Sequence, residues 1–340
     1  MDATHSDTAG ITLGSTLYSF TNEFHSRRYD LEGLVREVAA RNLGPGIEIV
    51  GFQSVRGFPV VTDEFADWFK GLIAETGLTP TCLAINADAL IDRNRPMTFD
   101  ESVAYHARQI EAAAKLGFPV ARFQYAATPE VVAQLAPLAE KLDVRLGLEI
   151  HAPHSIDHPD VIAYRETYER VGSPYLGFIP DFGASARSVP PAYKEYFKWR
   201  GIDQGMVDHA LEIWEEQMEP FKRRAKFLDW AKAKDHDEVH AVDVSIIFGL
   251  FSRQPLNNWL EIMPQTVHIH GKFYGVDETT GEDPSIDYEA ILPIFVAGGY
   301  RGSISSEWEG HQVSDDNGFE KVAAHLAMER RILQRAVQPV

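Results

Sequence analysis

The sequence predicts an α/β protein, a (β/α)8 TIM barrel in which eight parallel strands alternate with helices. Short apolar runs rich in β-branched and aromatic residues alternate with segments of helical period. Eight such runs can be counted, whereas an open doubly wound sheet more often stops at about five or six strands. The last four runs each end near a residue type that binds metals, as expected where the carboxyl ends of strands meet at one face of a barrel.

The first four strands are predicted at 12–20, 46–53, 78–87 and 120–127. Each following helix starts after a residue whose side chain can cap its first turn: Asp30, Thr62, Thr98 and Thr128. Glu101 completes a capping-box pattern with Thr98, and Pro129 suits the first helical turn. Gly77 and Gly117 stand where helices end. These signals predict four complete βα units.

The other four strands are predicted at 145–152, 175–184, 266–274 and 302–309. Their segments LGLEIHAPH, FIPDFGA, VHIHGKFY and ISSEWEGH offer Glu149, Asp181, His268 or His270, and Glu307. Three carboxylates and one imidazole form a mixed oxygen and nitrogen set, which favours Mn2+, with Mg2+ and Co2+ as alternatives. We therefore predict one divalent ion at the mouth of the barrel, with room left for adjacent oxygens of a substrate.

The pleat of a strand decides between the two histidines. Residues two apart point to the same side, so both His268 and His270 can face the barrel axis. His270 is nearer the carboxyl end and is the predicted ligand, while His268 lies one layer below. Lys272, two residues further along the same face, is predicted either to bind a substrate oxygen or to form an ion pair.

The predicted general base is His151, which follows Glu149 at the same-face spacing and titrates in a useful range. His154 and His311 are the alternative bases; otherwise they bind substrate or are ordinary loop histidines. Glu309 follows Glu307 at the same spacing. It is either a second carboxylate near the substrate or a residue of the solvent-facing rim.

A helical insertion is predicted at about 185–250, because strands six and seven start at 175 and 266, far more than the roughly 30 residues of one βα unit. The insertion contains Tyr193, Tyr196, Phe197 and Trp199. These aromatic residues indicate one of two roles for the insertion. It either adds helices that pack over the barrel, or it forms a lid or docking surface. The apolar run VSIIFGLF would pack beside the seventh strand if it is helical. The whole chain, 1–340, is predicted to form one domain.

Charge and composition exclude several classes of protein. The formal net charge of -18 disfavours a nucleic-acid partner. No apolar stretch approaches the roughly 20 residues of a membrane span, and the N-terminus lacks the pattern of a signal peptide. The single cysteine, Cys82, lies in an apolar run and is predicted to be a core residue. We therefore expect a cytoplasmic protein without a membrane partner.

The segments LGLEIHAPH, PDFGA, HIHGKFY and SSEWEG, in this order, resemble the xylose-isomerase-like TIM-barrel superfamily of sugar isomerases and epimerases. The resemblance spans nearly the whole chain. It implies that Glu149, Asp181, His270 and Glu307 hold one divalent ion. The sequence differs from ketose 3-epimerases in carrying His151 and in lacking the acid and arginine that follow the metal-binding histidine in those enzymes.

Within the superfamily, the opening TLYSFTNEFHSRRYDLEGLVREVAARNLG, the GKFY segment and the aromatic insertion are most similar to C-glycoside deglycosidase α subunits. This resemblance implies a metal-dependent lyase, usually with Mn2+, that works with a small β-sheet β subunit on a sugar already oxidised to its 3-oxo form. His151 would remove the proton from sugar C2, and the aryl group would leave C1.

Three other functions are weighed against this lyase. A ketose or inosose isomerase or epimerase would use the same ion without a partner subunit. A DNA-repair endonuclease of the same superfamily would need several zinc ions and a basic groove, which the net charge of -18 opposes. A non-catalytic carbohydrate-binding barrel would need no ion at all.

Overall fold

The strands form one closed barrel. The computed structural model describes residues 8–85 and 95–337. In these ranges eight parallel strands pair in the order β6-β5-β4-β3-β2-β1-β8-β7. They are β1 Thr12–Thr16, β2 Gly46–Val50, β3 Thr79–Ala84, β4 Val120–Phe123, β5 Arg145–Ile150, β6 Leu176–Pro180, β7 Ile269–Phe273 and β8 Ser303–Trp308. Parallel bridges from Phe178 to Thr266 and from Asp181 to His270 join β6 to β7. The predicted (β/α)8 barrel is confirmed.

Several predicted strands are too long at their carboxyl ends. Residues predicted to extend β1 form a 3-10 helix, Leu17–Phe20, and those after β2 form a helical turn, Gly51–Ser54. The chain turns at the barrel mouth while the residues remain apolar, so the hydrophobic pattern does not mark where the strand ends. The last two residues of the predicted strand 78–87 lie outside the described residues.

The helices that cover the barrel are Leu31–Ala40, Asp63–Thr76, Phe99–Leu116, Pro129–Leu142, Pro159–Val171, Tyr288–Ala297 and Gly318–Val337. The predicted caps are confirmed. Asp30 Oδ1 accepts a hydrogen bond of 2.8 Å from the Gly33 backbone N–H. Thr98 and Glu101 form a reciprocal capping box. Thr62 and Thr128 cap their helices in the same way. No helix among residues 8–85 and 95–337 is long and apolar enough to cross a membrane.

The segment between β6 and β7 is helical, as predicted. Its helices are Pro191–Trp199, Gln204–Glu215, Pro220–Ala233, Glu238–Ser245 and Ile247–Leu250, followed by 3-10 helices Leu256–Glu261 and Met263–Gln265. Tyr193 and Phe197 are buried, and the Tyr193 ring contacts Phe251 at 5.2 Å. Trp199 is 79% exposed. The aromatic residues of the insertion are thus partly core and partly surface. This is compatible both with extra helices packed over the barrel and with a lid or docking surface.

A buried acid and a buried histidine lie between helix Gly318–Val337 and β7. The His325 ring stacks on Phe273 at 3.9 Å, and its Nδ1 lies 2.9 Å from Ser306 Oγ and 3.7 Å from Glu329 Oε2. The Glu329 carboxyl group is fully buried against β7, where a Cβ added to Gly271 would lie 2.9 Å from its Oε1. Burial raises the pKa of Glu329 well above its ordinary value and lowers the pKa of His325 to about 3. Burial therefore disfavours the charged form of both groups.

Replacing Glu329 with glutamine should raise the free energy of unfolding at neutral pH. The unfolded chain ionises Glu329 above its ordinary pKa of 4.5, whereas burial in the folded protein raises that pKa and favours the protonated form. Stability from this residue is therefore complete below that pKa and is lost as pH rises, by about 1.4 kcal/mol per pH unit until the raised pKa is reached. Denaturant unfolding between about pH 5 and 8 should show a flatter profile for Glu329→Gln. The exposed Glu320→Gln on the same helix is the control, and an unchanged slope would refute the assignment.

Candidate active site

A cavity of about 740 Å³ opens at the carboxyl ends of the strands. Its polar side is lined by Glu149, His151, Lys272, Glu307, Glu309 and His311. Leu250, from the insertion, also lines it. Predicted residues from the ends of β5, β7 and β8 therefore meet in one cavity, in the position where barrel enzymes place their active sites.

Three of the four predicted metal ligands share a centre. His270 Nδ1 lies 2.7 Å from Glu149 Oε1 and 3.6 Å from Glu307 Oε2. One donor atom from each residue falls within 4.8 Å of the other two. All three residues are buried. Glu307 Oε2 has no hydrogen-bond partner among the described residues. A buried carboxylate oxygen without a partner, facing an imidazole nitrogen, suits a bound cation.

Asp181 is next to this group but is held by Lys272. It pairs with His270 across the seam between β6 and β7. Its Oδ2 lies 2.5 Å from Lys272 Nζ, and its Oδ1 accepts a hydrogen bond of 2.7 Å from the Gly183 backbone N–H. Lys272 Nζ is also 3.2 Å from Glu309 Oε1. The ammonium group thus supplies positive charge among the buried acids, as a divalent ion would. Ligation by Asp181 stays a prediction.

The acids of this group are electrostatically unequal. Burial raises the pKa of Glu307 to about 8 and raises the pKa of Asp181 above its ordinary value. Burial also opposes ionisation of Glu149, but the positive charges of Arg122 and His270 hold the pKa of that carboxyl well below its ordinary value. Glu307 and Asp181 thus resist ionisation, whereas Glu149 is favoured as the carboxylate. This pattern indicates too little positive charge for three buried carboxylates, and a bound divalent ion would supply it.

Glu48 is a site residue that the sequence analysis missed. It lies on β2 and is 1% exposed. His270 Nε2 donates a hydrogen bond of 3.1 Å to Glu48 Oε1, and His268 Nε2 is 3.1 Å from Glu48 Oε2. With Nε2 bound to Glu48, the ring of His270 is oriented so that Nδ1 faces Glu149 and Glu307. The one signal for Glu48 was a carboxylate inside the apolar run GIEIV. His268 is fully buried, and its Nε2 also lies 2.9 Å from Ser305 Oγ.

Arg122 on β4 and Gln124, the residue directly after this strand, were also missed. Gln124 Nε2 donates a hydrogen bond of 2.9 Å to Glu149 Oε2, and Arg122 Nη1 lies 3.5 Å from the same oxygen. These contacts hold Glu149 so that its other oxygen, Oε1, faces His270. Arg122 and Gln124 lie two residues apart in the run VARFQYAA, the spacing of one strand face. This spacing is the sequence signal from which they could have been found.

His151 has the geometry of a base. Its Nδ1 donates a hydrogen bond of 2.5 Å to the Ala152 carbonyl, since a carbonyl can only accept. In the neutral form of the ring, the proton therefore resides on Nδ1 and the lone pair on Nε2. The ring packs edge-on against Tyr125 at 6.0 Å. It lines the cavity without belonging to the group formed by Glu149, His270 and Glu307.

The three predicted substrate-binding residues are placed differently. Glu309 Oε2 accepts a hydrogen bond of 2.7 Å from the Tyr274 hydroxyl. His311 Nδ1 donates one of 2.7 Å to the Trp308 carbonyl. Both line the cavity. His154 lies beside the cavity, with its ring stacked on Tyr125 at 4.0 Å.

Replacing Glu48 with glutamine should weaken metal binding by about 10- to 100-fold, the usual effect of losing an outer-shell carboxylate. The substitution removes the charged oxygen that accepts from His270 Nε2, so the ring is held less firmly with Nδ1 towards the ion. Calorimetric titration of Mn2+ into the metal-free chain measures the effect. Glu23→Gln, at another buried acid, should bind Mn2+ normally. Equal affinities for Glu48→Gln and wild type would contradict the role.

Comparison with known proteins identifies the family. A family model described as xylose isomerase-like TIM barrel matches residues 38–329. The chain belongs to this family. It is 41% identical to a C-glycoside deglycosidase alpha subunit of Microbacterium trichothecenolyticum, over 95% of this chain and 93% of that protein. It is 42% identical to a 3'-dehydrocarminate deglycosidase alpha subunit of Microbacterium sp, over 94% of each. This xylose isomerase-like chain is thus an enzyme, and its relatives are named as alpha subunits.

Solved structures share the fold at low sequence identity. A xylose isomerase-like TIM barrel protein from Mycobacterium smegmatis in complex with magnesium has a TM-score of 0.56 and 15% identity, covering 99% of this chain and 100% of that chain. An L-ribulose 3-epimerase has a TM-score of 0.57 and 13% identity, covering 96% and 95%. At these identities the comparison supports the barrel fold and nothing finer.

Proposed function

We propose that this chain is a metal-dependent carbon-carbon lyase that cleaves 3-oxo-C-glycosides. The observation that carries the proposal is the position of His151, with a free Nε2, beside the buried group of Glu149, His270 and Glu307 in one cavity. The names of the relatives support the substrate class. Mn2+ is the proposed ion, with Mg2+ and Co2+ as alternatives, because three carboxylates and one imidazole form a mostly oxygen-based set.

The residues that line the cavity are of two kinds. Charged residues such as Glu149 and Lys272 form its polar side, and apolar residues including Phe24, Phe52 and Ile85 form its apolar side. Sugar oxygens need charged and hydrogen-bonding partners, whereas an aromatic aglycone gains from contact with apolar and aromatic surface. We therefore place the oxidised sugar over the polar side and its aryl substituent against Phe24 and Phe52.

The proposed reaction is an elimination. A ketone at sugar C3 makes the hydrogen on C2 acidic. His151 Nε2 takes that proton, and the C2–H electrons form an enediolate across C2 and C3. When the C3 carbonyl re-forms, a double bond forms between C1 and C2 and the C1–aryl bond breaks. The aryl carbon then takes up a proton, so no oxidant or reductant is consumed. The bound ion supplies Lewis-acid stabilisation of the negative charge on the sugar oxygens.

Lys272 is proposed to act with His151 as a catalytic residue. Its ammonium lies 3.8 Å from Glu307 Oε2 and 3.2 Å from Glu309 Oε1, on the polar side of the cavity. Nearby carboxylates, led by Asp181, raise the pKa of Lys272 well above its ordinary value even though burial opposes its charge. The group is therefore a fixed cation that can donate a hydrogen bond to a substrate oxygen.

Glu309 and His311 are proposed to bind sugar hydroxyls, since both line the cavity. His154 would contribute from beside Tyr125. We further propose that the chain works in the cytoplasm with a small β-sheet β subunit, as expected from the sequence. The naming of the relatives as alpha subunits supports a partner of some kind. Nucleic acid and membrane partners are not expected, given the net charge of -18.

The proposal is tested by supplying the chain with Mn2+ and three compounds in parallel: an aryl C-glycoside, its 3-oxo form and a free ketose. Release of the aryl aglycone from the 3-oxo form alone is the expected result. The assay is run with and without the β subunit encoded by the same organism. Epimerisation of the ketose without aglycone release would favour the isomerase or epimerase instead, because both reactions can use the same ion and the same base.

A further inference from the structure

A second group of metal donors lies outside the site described above. It occupies the loop that follows β5 and the start of helix Pro159–Val171, and it consists of His154, His158 and Asp160. One donor atom from each residue lies within 4.8 Å of the other two. His154 Nε2 is 3.5 Å from Asp160 Oδ2, and His158 Nδ1 is 3.6 Å from the same oxygen.

These separations fit ligands of one ion better than hydrogen bonds. An N–H···O hydrogen bond is normally about 2.7–3.2 Å long, so contacts of 3.5 and 3.6 Å are too long to be good ones. In a tetrahedral zinc site with bonds of about 2.0–2.1 Å, neighbouring ligand atoms lie roughly 3.3 Å apart. The two nitrogen-to-oxygen separations are therefore within a few tenths of an ångström of those in a zinc site.

Ring contacts hold the two histidines in place. The His154 ring stacks on Tyr125 at 4.0 Å, and the His158 ring meets it edge-on at 4.4 Å. These contacts position both imidazoles beside the Asp160 carboxylate, so the three donors lie together before any ion binds.

The geometry points to a second cation site, formed by His154, His158 and Asp160, that takes a zinc-type divalent ion. Two imidazoles and one carboxylate suit Zn2+, with a water molecule in the fourth position because the Asp160 side chain is 59% exposed. The oxygen-rich group of Glu149, His270 and Glu307 prefers harder ions. Ligation at His158 Nδ1 would replace only the 3.3 Å contact that it accepts from the Asp160 backbone N–H.

The position of the site gives it a structural consequence. The loop that contains His154 begins at His151, and the two rings lie 6.2 Å apart. An ion bound to His154, His158 and Asp160 would tie this loop to the first turn of helix Pro159–Val171. It would therefore fix the segment that carries the proposed base, His151.

The test compares Zn2+ binding by calorimetry and metal analysis in four full-length proteins: wild type, His158→Asn, Asp160→Asn and Asp157→Asn. Asparagine is a good N-cap, so His158→Asn preserves the helix start while removing the imidazole. Asp157→Asn removes one charge from the same loop and serves as the matched control. Since even an outer-shell loss weakens metal affinity by about 10- to 100-fold, loss of a direct ligand should weaken it by at least about tenfold.

A second background separates this site from the barrel site. Glu149→Gln alone should still bind Zn2+ at the loop, and Glu149→Gln combined with His158→Asn should lose that binding. The proposal is overturned if His158→Asn and Asp160→Asn bind as much Zn2+ as wild type and Asp157→Asn do. It is also overturned if Glu149→Gln removes all Zn2+ binding, because a single site would then account for the metal.

Discussion

Replacing Glu149 or Glu307 with glutamine is expected to remove the bound metal and the enzymatic activity together. Each contributes a buried carboxylate oxygen within reach of His270 Nδ1. Glutamine keeps the size of the side chain but replaces a charged oxygen ligand with a neutral one, so the ion loses both a bond and charge compensation. Metal analysis after dialysis and assay of aglycone release from a 3-oxo-C-glycoside measure the two losses.

Asp181→Asn tests the fourth ligand separately. Asp181 is tied to Lys272 at 2.5 Å, so the same substitution breaks an ion pair as well as a proposed metal bond. Loss of metal in this variant would support ligation, whereas loss of activity with full metal content would leave Asp181 as the partner of Lys272 only. Glu329→Gln, at a buried acid on the outer side of β7, is the control that should keep its metal. Full metal occupancy in both Glu149→Gln and Glu307→Gln would rule out the proposed ion site.

The barrel and the meeting of the acids could be predicted because both depend on repeating features. Strands of a parallel barrel end at one face, so an acid or histidine near the end of each run is brought to that face whatever lies between. The helix caps, such as Asp30 and Thr98, depend on local hydrogen bonds, so they too can be predicted from the sequence. These features do not require knowledge of which side chains touch.

The residues that support the ligands could not be predicted in this way. Glu48 and Arg122 stand inside short apolar strands and Gln124 directly follows one, where sequence does not distinguish a side chain that faces the barrel axis from one that faces the helices. Their roles follow from contacts across the barrel, such as the 3.1 Å hydrogen bond from His270 to Glu48 between residues far apart in the chain. The same limit applies to His154 and Asp160, which become neighbours only through the folding of the loop between them.

His151→Ala is expected to keep the metal and to lose turnover by about 10²- to 10⁴-fold, the usual contribution of a general base. The imidazole lies outside the group that holds the ion, and its proton is committed to the Ala152 carbonyl. Removing the ring therefore deletes a proton acceptor without touching a ligand. Single-turnover aglycone release and Mn2+ titration of the same protein separate the two effects. His209→Ala, in the insertion, is the control for the loss of a histidine.

The contrast between this variant and the ligand variants is the sharpest test of the mechanism, because it separates proton transfer from charge stabilisation. Incubation with the 3-oxo substrate in deuterated water adds a direct observation of the C2–H bond. Wild-type chain should exchange or remove that hydrogen, and His151→Ala with its ion in place should do so only slowly. If His151→Ala turns over normally, the base lies elsewhere in the cavity, and His311 is then the histidine to replace next, since it also lines the wall.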